Sequence, residues 1–370
     1  MNNVIVIGCD HHNTLGVIRS LGEKGIGPDV LIVTQDGNTF VGKSKYIRNL
    51  HIVRNNNEIV PYLLSHFKSE KDKSVVICCH DASSSEIDLH ADELRSWFII
   101  PGAEKQGQIT YLMNKKVMSD LAVDSGLSIP KTYYPSHFPL EESECVLPCI
   151  VKPILSKEGT KDDIRICYDI ANVNNAISRV GIGNVQLQEY IEKDFEYQLI
   201  GCSTGKDIVI PGVSHIIRPC KGSNTSYLHY EPLKDSFCDI SKCMDFLRKT
   251  GYKGLFSLEF LRDKKGKDFF MEINFRNDGN AICVTAAGVN LPYIWYLSCT
   301  GKNYLNEARL MVTPKYIMPD SAEIRLLWTR QINLFQFICD LIKTDRFMEF
   351  DRKDMKPFWK MIQMKFKYLR

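Results

Sequence analysis

Two acidic residues, Glu259 and Glu272, lie on stretches of alternating apolar and polar residues that a polar turn at 264–267 separates. This alternation predicts two antiparallel strands, and Gly266 supplies the geometry of a tight turn. If the turn is centred between Lys265 and Gly266, Glu259 lies directly opposite Glu272 on the paired strands. Side chains along a strand alternate between the two faces of a sheet. One face of the second strand is therefore expected to carry Phe270, Glu272, Asn274 and Arg276.

Two like charges opposed across a hairpin disfavour the pairing by roughly 0.2–1 kcal/mol in solvent, and by more when they are buried. The apolar residues on both strands favour a buried hairpin over a solvated face that carries acidic residues by chance. A bound cation would turn this repulsion into attraction. The carboxylates of Glu259 and Glu272 and the amide oxygen of Asn274 suit Mg²⁺, with Mn²⁺ as an alternative, better than Zn²⁺. We therefore expect a metal site that holds substrate phosphates.

The composition is that of an ordinary globular chain. Its 370 residues are 44% hydrophobic and 25% charged, which is typical of a soluble protein with two or three domains. A net charge of +3 predicts no general attraction to nucleic acid. The 13 cysteines form no CxxC pair, and no secretory leader or long apolar span is recognisable in the sequence. We expect a cytoplasmic protein with reduced thiols that binds small molecules and no nucleic acid.

The N-terminal segment predicts a β-α-β unit. An apolar run at 4–7 followed by Gly8 indicates a buried parallel strand and a glycine turn. A helix capped by Asn13 or Thr14 and a second strand at 30–33 follow. This unit is typical of a nucleotide-binding domain, but the GxGxxG fingerprint of a dinucleotide site is absent.

Polar residues follow two of the N-terminal strands. His11 and His12 are adjacent, and neighbouring residues rarely converge on one metal ion without further ligands. Loop residues that face a cleft are therefore the favoured interpretation over a metal pair. His80 and Asp81 follow an apolar strand at 75–79, at the carboxyl end where α/β domains bind ligands.

Two lysines precede the hairpin in the chain. Lys115 lies near the start of a helix predicted over 110–123, where a charge is ordinarily a solvated feature. Lys152 ends a short apolar strand, so its ammonium projects from a largely buried element, which usually requires an anionic partner. A polar loop beginning at Ser156 follows, and its backbone N–H groups could cover phosphates. With a single glycine, this loop is a weak phosphate-binding signal on its own.

The remaining pattern alternates further strands and helices, and it ends in a basic tail. Residues 346–370 carry a net charge of +5 from eight basic and three acidic residues. Phe358, Ile362, Phe366 and Leu369 line one face of a helix there, which could contact a membrane surface. Docking of this face on the domain is the favoured alternative. The other predicted elements are strands at 185–190, 197–201 and 208–217, and helices at 83–94, 239–250, 280–296 with a break at 288–292, and 331–343.

Five segments, in their order along the chain, resemble the motifs of the ATP-grasp carboxylate–amine ligases, and the D-aspartate-ligase-like group is the most similar. They are NKKVMSDLAVDSGLSIP with Lys115, CIVKP with Lys152, QEYIEKDFEYQLIG, SLEFLRD and FMEINFR. The resemblance covers roughly residues 1–300. It implies an α/β protein, α+β in its ATP-grasp part. The implied units are a Rossmann-like pre-ATP-grasp domain at 1–105, a small lobe at 106–182, a large lobe with the metal site at 183–300, and a mostly helical extension at 301–370.

The resemblance implies a nucleotide site. Lys115 and Lys152 would hold the ATP phosphates, with the loop at Ser156 beside them. The backbone of Glu189 and Ile191 would contact the adenine edge, and Glu196 would bind the ribose. The hinge that contains these backbone groups corresponds to Gln188, Glu189, Tyr190 and Ile191.

The resemblance also implies the catalytic groups. Glu259, Glu272 and Asn274 would be the Mg²⁺ ligands, and Arg276 would lie near the transferred phosphate and the substrate carboxylate. Arg276 suits a planar anion because its guanidinium donates in a fork, and Arg218 is expected to bind substrate in the same way.

The sequence departs from the family pattern at three places. The loop after Lys152 has one glycine where the family usually has several. Phe275 replaces the usual proline. Lys193, Asp194 and Phe195 replace the usual hinge glycine and leave one extra residue before Glu196.

Together these features predict an ATP- and Mg²⁺-dependent ligase that activates a carboxylate as an acyl phosphate and couples it to an amine. An amino acid or an amino-bearing precursor is the expected substrate. A non-catalytic nucleotide-binding protein of the same fold is one alternative, and an NAD-dependent oxidoreductase is a less favoured one. The sequence leaves open the acid, the amine and the oligomeric state, for which a homo-oligomer is one of the alternatives.

Overall fold

A computed structural model describes residues 2–69, 72–154, 164–219, 226–233 and 238–367 of the protein, with side chains described throughout except at 219, 226, 366 and 367. The predicted phosphate loop beginning at Ser156 lies outside the described residues. Within them, the chain forms three β-sheets of five, eight and four strands, with helices packed between and against the sheets. This mixed α/β architecture confirms the predicted fold class at that level.

The first sheet consists of five parallel strands in the order β3-β2-β1-β4-β5. Side chains of its central strand alternate between two hydrophobic cores: Ile5 and Ile7 contact one, and Val4 and Val6 the other. Both faces are therefore buried, which explains the continuous apolar runs. The elements are β1 (Val4–Cys9), α1 (His12–Gly22), β2 (Asp29–Val33), β3 (Asn49–Val53), α2 (Ile59–His66), β4 (Ser74–Cys78), α3 (Asp81–Leu89), α4 (Ala91–Leu94) and β5 (Phe98–Ile99).

The turn between β1 and α1 is capped differently from the prediction. The ring of His11, not the side chain of Asn13 or Thr14, caps α1, since its Nδ1 accepts a hydrogen bond from the N–H of Asn13 at 3.2 Å. The predicted glycine turn has a packing reason, because a Cβ on Gly8 would lie 2.2 Å from Oγ1 of Thr14. His11 therefore has a structural role at this turn, which supports the loop interpretation over a metal pair.

The helix predicted over 110–123 is two helices, α5 (Gln108–Leu112) and α6 (Lys115–Asp124). The side chain of Asn114 accepts hydrogen bonds from the N–H groups of Lys116 and Val117 at 3.0 and 3.3 Å. An asparagine in this position starts a new helix because it satisfies the first free backbone donors. Lys115 consequently occupies the first residue of α6.

The four-stranded sheet has the order β6-β9-β7-β8, with β6 (Thr132–Tyr133), β7 (Cys149–Pro153), β8 (Arg165–Cys167) and β9 (Val185–Glu189). α7 (Ile170–Val180) packs on one face of this sheet, where alternate residues of β7 are buried. β9 follows the predicted lobe boundary at 182/183, but it pairs with β7 and so belongs to the smaller sheet. α6 lies outside the small lobe as well, since its Met118 and Ala122 are buried in the core of the large sheet.

The eight-stranded sheet has the order β15-β14-β10-β12-β13-β16-β17, with β11 paired to β10. Two of its strands belong to the predicted helical extension after residue 300, so that segment completes the large sheet. α8 (Ile240–Thr250) packs against the same sheet. The strands are β10 (Lys193–Ser203), β11 (Ile208–Val209), β12 (Gly212–Pro219), β13 (Ser226–Pro232), β14 (Gly254–Asp263), β15 (Asp268–Asn274), β16 (Lys315–Met318) and β17 (Arg346–Phe347).

The hairpin of β14 and β15 confirms the predicted pairing of Glu259 with Glu272. A β-bulge between these residues and the next pair shifts the register, so that Phe260 pairs with Phe270. The prediction that Phe270 shares a face with Glu272 is therefore wrong: Phe270 is buried in the core beside Phe260. One extra residue in a bulge reverses the alternation of every side chain beyond it.

The C-terminal segment closes the structure onto the first domain. The guanidinium of Arg19, which is fully buried on α1, donates to Oδ2 of Asp354 at 3.1 Å and to the carbonyls of Met348 and Glu349 at 3.2 and 3.0 Å. The predicted helix at 280–296 is indeed interrupted, and forms α9 and α10. The helices of this segment are α9 (Ile282–Ala286), α10 (Leu291–Cys299), α11 (Leu305–Ala308), α12 (Asp320–Trp328), α13 (Leu334–Lys343) and α14 (Lys356–Lys367).

The basic tail docks on the protein through α14. Met361 is buried in the core beside α1, and Phe358 and Met364 pack against the same core. The buried face is thus centred on Met361, one residue from the predicted Ile362. This placement favours the docked helix over a tail that lies on a membrane. Among the described residues, the structure contains no helix long and apolar enough to cross a bilayer.

Candidate active site

Three neighbouring strands of the large sheet place polar side chains in one row. Gln198 on β10 pairs with Glu259 on β14, which pairs with Glu272 on β15. Asn274 lies two residues further on the same face and donates to Oε1 of Glu259 at 3.0 Å. Nε2 of Gln198 donates to the same oxygen at 3.1 Å. We call these four residues the carboxylate row.

The carboxylate row concentrates negative charge in a poorly solvated place. Burial, followed by the nearby carboxylates of Glu272 and Asp278, raises the pKa of Glu259 well above its usual range. Two amide groups donate to Glu259 and offset part of this cost.

The chemistry of the carboxylate row fits a divalent cation with oxygen ligands. Glu259, Glu272 and the amide oxygen of Asn274 are the hard donors that Mg²⁺ takes, and Mg²⁺ usually completes its shell with water and substrate phosphates. A cation would offset the burial and the repulsion that together raise the pKa of Glu259. Across the described ranges, no group of three or more His, Cys, Asp or Glu side chains is placed to hold a metal ion by itself.

The two predicted lysines lie beside the carboxylate row. Nζ of Lys115 is 3.4 Å from the carbonyl of Pro153, at the end of β7, and Nζ of Lys152 donates to Oε1 of Gln188 at 2.9 Å. Burial, and then the charge of Lys115, lowers the pKa of Lys152 from 10.5 to about 8, against the opposing effect of Glu272. Burial lowers the pKa of Lys115 as well, and Glu272 again opposes it. Both ammonium groups are therefore within electrostatic reach of Glu272.

Lys152 projects from the open face of the four-stranded sheet. The buried residues of β7 alternate with Ile150 and Lys152, which point away from α7. Gln188 lies on the same open face, since it pairs with Ile150 and contacts Lys152. A cleft therefore lies between the open face of the small sheet and the carboxylate row of the large sheet. It contains two cations, Lys115 and Lys152, and two carboxylates, Glu259 and Glu272.

Arg276 connects the carboxylate row to the N-terminal domain. Its Nη2 donates to Oδ1 of Asn274 at 2.9 Å, its Nη1 to Oδ2 of Asp278 at 3.0 Å, and its Nε to Oδ1 of Asp81 at 3.0 Å. Asp81 begins α3, shortly after β4, and it is one of the two polar residues that follow the predicted strand at 75–79. The facing carboxylates, which outweigh the effect of burial, raise the pKa of Arg276 above its usual value. The carboxyl edge of the parallel sheet therefore reaches the cleft at Arg276.

The predicted hinge crosses from the small sheet to the large one. The N–H of Glu189 donates to the carbonyl of Lys131 at 2.9 Å, and the N–H of Tyr190 to that of Pro148 at 3.1 Å. Ile191 lies between β9 and β10 and is half-buried. These contacts hold the crossover segment against the small sheet, which is where an adenine contact is expected. The adenine role of this segment stays a prediction.

The extra hinge residue is absorbed by a β-bulge. The register of β10 against β14 shifts between Lys193 and Phe195, so Asp194 is the inserted residue. Beyond the bulge, Glu196 pairs with Leu261 on the face that carries Gln198 and the carboxylate row. Lys193 forms an ion pair with Glu196 at 2.7 Å. The insertion therefore leaves Glu196 on the cleft side, as a ribose contact requires.

Arg218 lies apart from the carboxylate row and is bound to two carboxylates. Its Nη2 donates to Oε2 of Glu323 at 2.6 Å and to Oδ2 of Asp340 at 2.9 Å. These contacts fix α12 and α13 to β12. The predicted substrate role of Arg218 stays a prediction, and its observed contacts are structural.

Sequence reasoning missed several polar residues that support the site. Asp278 and Asn280 link Gln198 of the carboxylate row to Arg276. Nδ2 of Asn280 donates to Oε1 of Gln198 at 2.9 Å, its N–H donates to Oδ1 of Asp278 at 2.8 Å, and Asp278 accepts from Arg276. The run of polar residues after Arg276 was the only signal in the sequence for Asp278 and Asn280. Gln198 could have been found by extending the strand alternation from Glu196.

Comparison with known proteins finds relatives by structure only, since no family model and no curated protein matches the chain. The L-amino acid ligase of Bacillus licheniformis has a TM-score of 0.65 at 13% identity, over 86% of this chain and 80% of that one. The N5-carboxyaminoimidazole ribonucleotide synthetase of Thermotoga maritima has a TM-score of 0.59 at 16% identity, over 82% and 77%. The biotin carboxylase domain of Hydrogenobacter thermophilus 2-oxoglutarate carboxylase, solved as a dimer with MgADP and bicarbonate, has a TM-score of 0.62 at 16% identity, over 83% and 71%. The chain therefore has the ATP-grasp fold.

Proposed function

We propose that this chain, which has the ATP-grasp fold, is an ATP- and Mg²⁺-dependent ligase that joins a carboxylate to an amine. The observation that carries the proposal is the meeting of Lys115 and Lys152 with the carboxylate row around Glu272. Two cations next to two opposed carboxylates suit a polyphosphate with its metal ion. Structural neighbours that are ligases and carboxylases with MgADP support the same assignment.

In this proposal Lys115 and Lys152 bind the ATP phosphates. The segment from Gln188 to Ile191 contacts the adenine, and Glu196 contacts the ribose. Glu259, Glu272 and Asn274 hold Mg²⁺, which neutralises phosphate charge when it is bound. Burial of the lysines strengthens their attraction to phosphate because little water screens them.

The reaction proceeds in two displacements. A substrate carboxylate oxygen attacks the γ-phosphorus of ATP, the bond to the ADP oxygen breaks, and an acyl phosphate forms. The amine nitrogen then attacks the acyl carbon, phosphate leaves with the electron pair of the C–O bond, and the nitrogen loses a proton. Lys115, Lys152 and Arg276 orient these anions and neutralise charge, which is the main task of a protein in phosphoryl transfer.

Finer assignments belong to the same proposal. The five-stranded parallel sheet is the Rossmann-like domain that precedes the ATP-grasp lobes. An amino acid is the proposed substrate class, by analogy with the L-amino acid ligase. A homo-oligomer is proposed by analogy with the dimeric carboxylase domain. Mn²⁺ would serve in place of Mg²⁺.

One observation favours a non-catalytic nucleotide-binding protein as second candidate. All three guanidinium nitrogens of Arg276 already donate to protein oxygens, including the carboxylates of Asp81 and Asp278. An arginine held in this way must exchange at least one partner before it can bind a substrate anion through two donors.

ADP release tests the proposed function. Purified protein with ATP and Mg²⁺ is assayed against a panel of amino acids, each offered with a second amino acid as acceptor. We expect ADP release that depends on both substrates and that Glu272→Gln abolishes. Glu104→Gln, which removes an exposed carboxylate, is the matched control and should keep wild-type turnover. ATP binding without turnover on the whole panel would favour the second candidate, and equal turnover by Glu272→Gln would contradict the metal site.

A further inference from the structure

The helical hairpin of α12 and α13 presents an apolar surface outward. Trp328, Phe335 and Ile342 are 71%, 78% and 79% exposed, which is unusual for large apolar side chains. On α13 the exposed apolar residues recur at helical spacing and form one continuous stripe. The stripe consists of Leu334, Phe335, Ile338, Leu341 and Ile342.

The opposite face of the hairpin attaches it to the protein. Phe337 packs against a small core that contains Leu326 and Ile332. Asp340 accepts a hydrogen bond from Arg218 at 2.9 Å, and Glu323 accepts one at 2.6 Å. These inward contacts fix the rotation of α13, so the apolar stripe faces outward as a consequence of a specific ion-pair network.

The charges of the hairpin are sorted by face. Its three acidic residues, Asp320, Glu323 and Asp340, are buried or bound to Arg218. Arg330, in the turn before α13, and Lys343, at its last residue, are both exposed. The outward surface therefore combines an apolar stripe with cations near its two ends.

This distribution of charge distinguishes two partners that could cover the stripe, a second copy of the chain and a lipid surface. A second copy of the chain, docked by the same surface about a two-fold axis, would bring cations together without a carboxylate from either hairpin to neutralise them. An anionic lipid surface offers both an apolar layer for the stripe and negative charge for the cations.

We propose that the hairpin of α12 and α13 is a peripheral membrane-binding element that lies on anionic bilayers through Trp328 and the α13 stripe. The helix lies in the plane of the interface and does not cross the bilayer. Arg218 fixes the hairpin to β12 of the large sheet, so the catalytic lobe is held at the membrane surface in one orientation. The proposal does not depend on the ligase activity proposed above.

Vesicle co-sedimentation tests the proposal. The full chain is mixed with vesicles of phosphatidylcholine alone, or of roughly equal parts phosphatidylcholine and phosphatidylserine. We expect binding to the anionic vesicles, and roughly tenfold or greater loss in the double variant Phe335→Ser, Ile342→Ser, which removes two apolar contacts with lipid. Arg330→Gln with Lys343→Gln should weaken binding to anionic vesicles and reduce its dependence on salt.

A matched control separates the stripe from general exposure. Val146 and Tyr168 are 65% and 68% exposed on the small lobe, so Val146→Ser with Tyr168→Ser should bind vesicles like the wild type. Unfolding temperatures of all variants verify that they are folded. No binding by the wild type, equal binding to both vesicle types, or unchanged binding by the Phe335 and Ile342 variant would overturn the proposal. A wild-type dimer in sedimentation velocity that this variant dissociates would also overturn it, in favour of a second copy.

Discussion

The affinity for ATP should fall as the pH rises through 8, because Lys152 loses its proton there. In the free protein, burial and the neighbouring Lys115 lower the pKa of Lys152 to about 8. A bound polyphosphate favours the charged ammonium, so binding is strongest where the free protein already carries that proton. Raising the pH obliges the protein to take up a proton before it binds.

The size of the effect follows from the pKa. With a pKa of about 8, Lys152 is mostly charged one pH unit below this value and mostly neutral one unit above it. If only the charged form binds, the apparent Kd rises roughly tenfold between pH 7 and pH 9. The stability of the free protein should change with pH in the direction opposite to its affinity for ATP. Its lowered Lys152 pKa means that the unfolded state binds the proton better, so stability rises from about pH 8 to about pH 10.

Isothermal titration with a non-hydrolysable ATP analogue at saturating Mg²⁺ measures this prediction. Lys152→Arg is the informative variant, because a guanidinium keeps its charge throughout this range. Its affinity should be nearly independent of pH, whereas Lys115→Arg should keep most of the wild-type slope. A flat wild-type profile from pH 7 to pH 9, or an equal slope in Lys152→Arg, would refute the assigned contact between Lys152 and the phosphates.

Three further predictions concern carboxylates and their partners. Glu272→Gln should lower the pKa of Lys152 in the nucleotide-free protein, measured by NMR titration, because it removes the carboxylate that opposes the effects of burial and of Lys115. It should also abolish ADP release; an unchanged pKa of Lys152 would contradict the contact with Glu272. Arg218→Gln should lower the free energy of unfolding by about 3 kcal/mol, because it leaves the fully buried carboxylate of Glu323 without its cation. A loss of stability no larger than that of an exposed arginine variant would show the ion pair to be weak. Asp81→Asn should lower the KM for the carboxylate substrate about fivefold without changing that for ATP, because it frees Arg276 from one exposed counter-charge; an unchanged KM would place the substrate elsewhere.

The hairpin shows how far strand alternation can predict a site. It placed Glu259 opposite Glu272 correctly. It misplaced Phe270, because a β-bulge adds one residue without any change in the apolar pattern. The turn lies slightly before its predicted centre, and the bulge shifts the register back by one residue. The two differences cancel at Glu259 and Glu272, so this pair was predicted correctly although the orientation of Phe270 was not.

Capping explains a second difference. Periodicity alone joined α5 and α6 into one helix, whereas the side chain of Asn114 starts a new helix at Lys115. Here the signal was present in the sequence, since asparagine before a helical pattern is a recognised start. At the hinge, the extra residue before Glu196 was recognised, but not that a bulge at Asp194 would absorb it.

Contacts between distant segments were out of reach of the sequence. Arg276 and Asp81 are 195 positions apart, and Arg218 and Glu323 are 105 apart. No local pattern pairs such residues, because their contact depends on how sheets and helices pack. Consequently the cations of the site were predicted individually, while the carboxylates that hold Arg276 and Arg218 were not.

The central claim is that a carboxylate oxygen attacks ATP in the cleft between Lys152 and Glu272. Oxygen transfer tests it most directly, with ¹⁸O-labelled carboxylate of whichever substrate supports ADP release. One labelled oxygen should appear in the released phosphate, because the acyl phosphate passes that oxygen to phosphorus. Released phosphate without the label, at normal product yield, would contradict the acyl phosphate and with it the proposed chemistry.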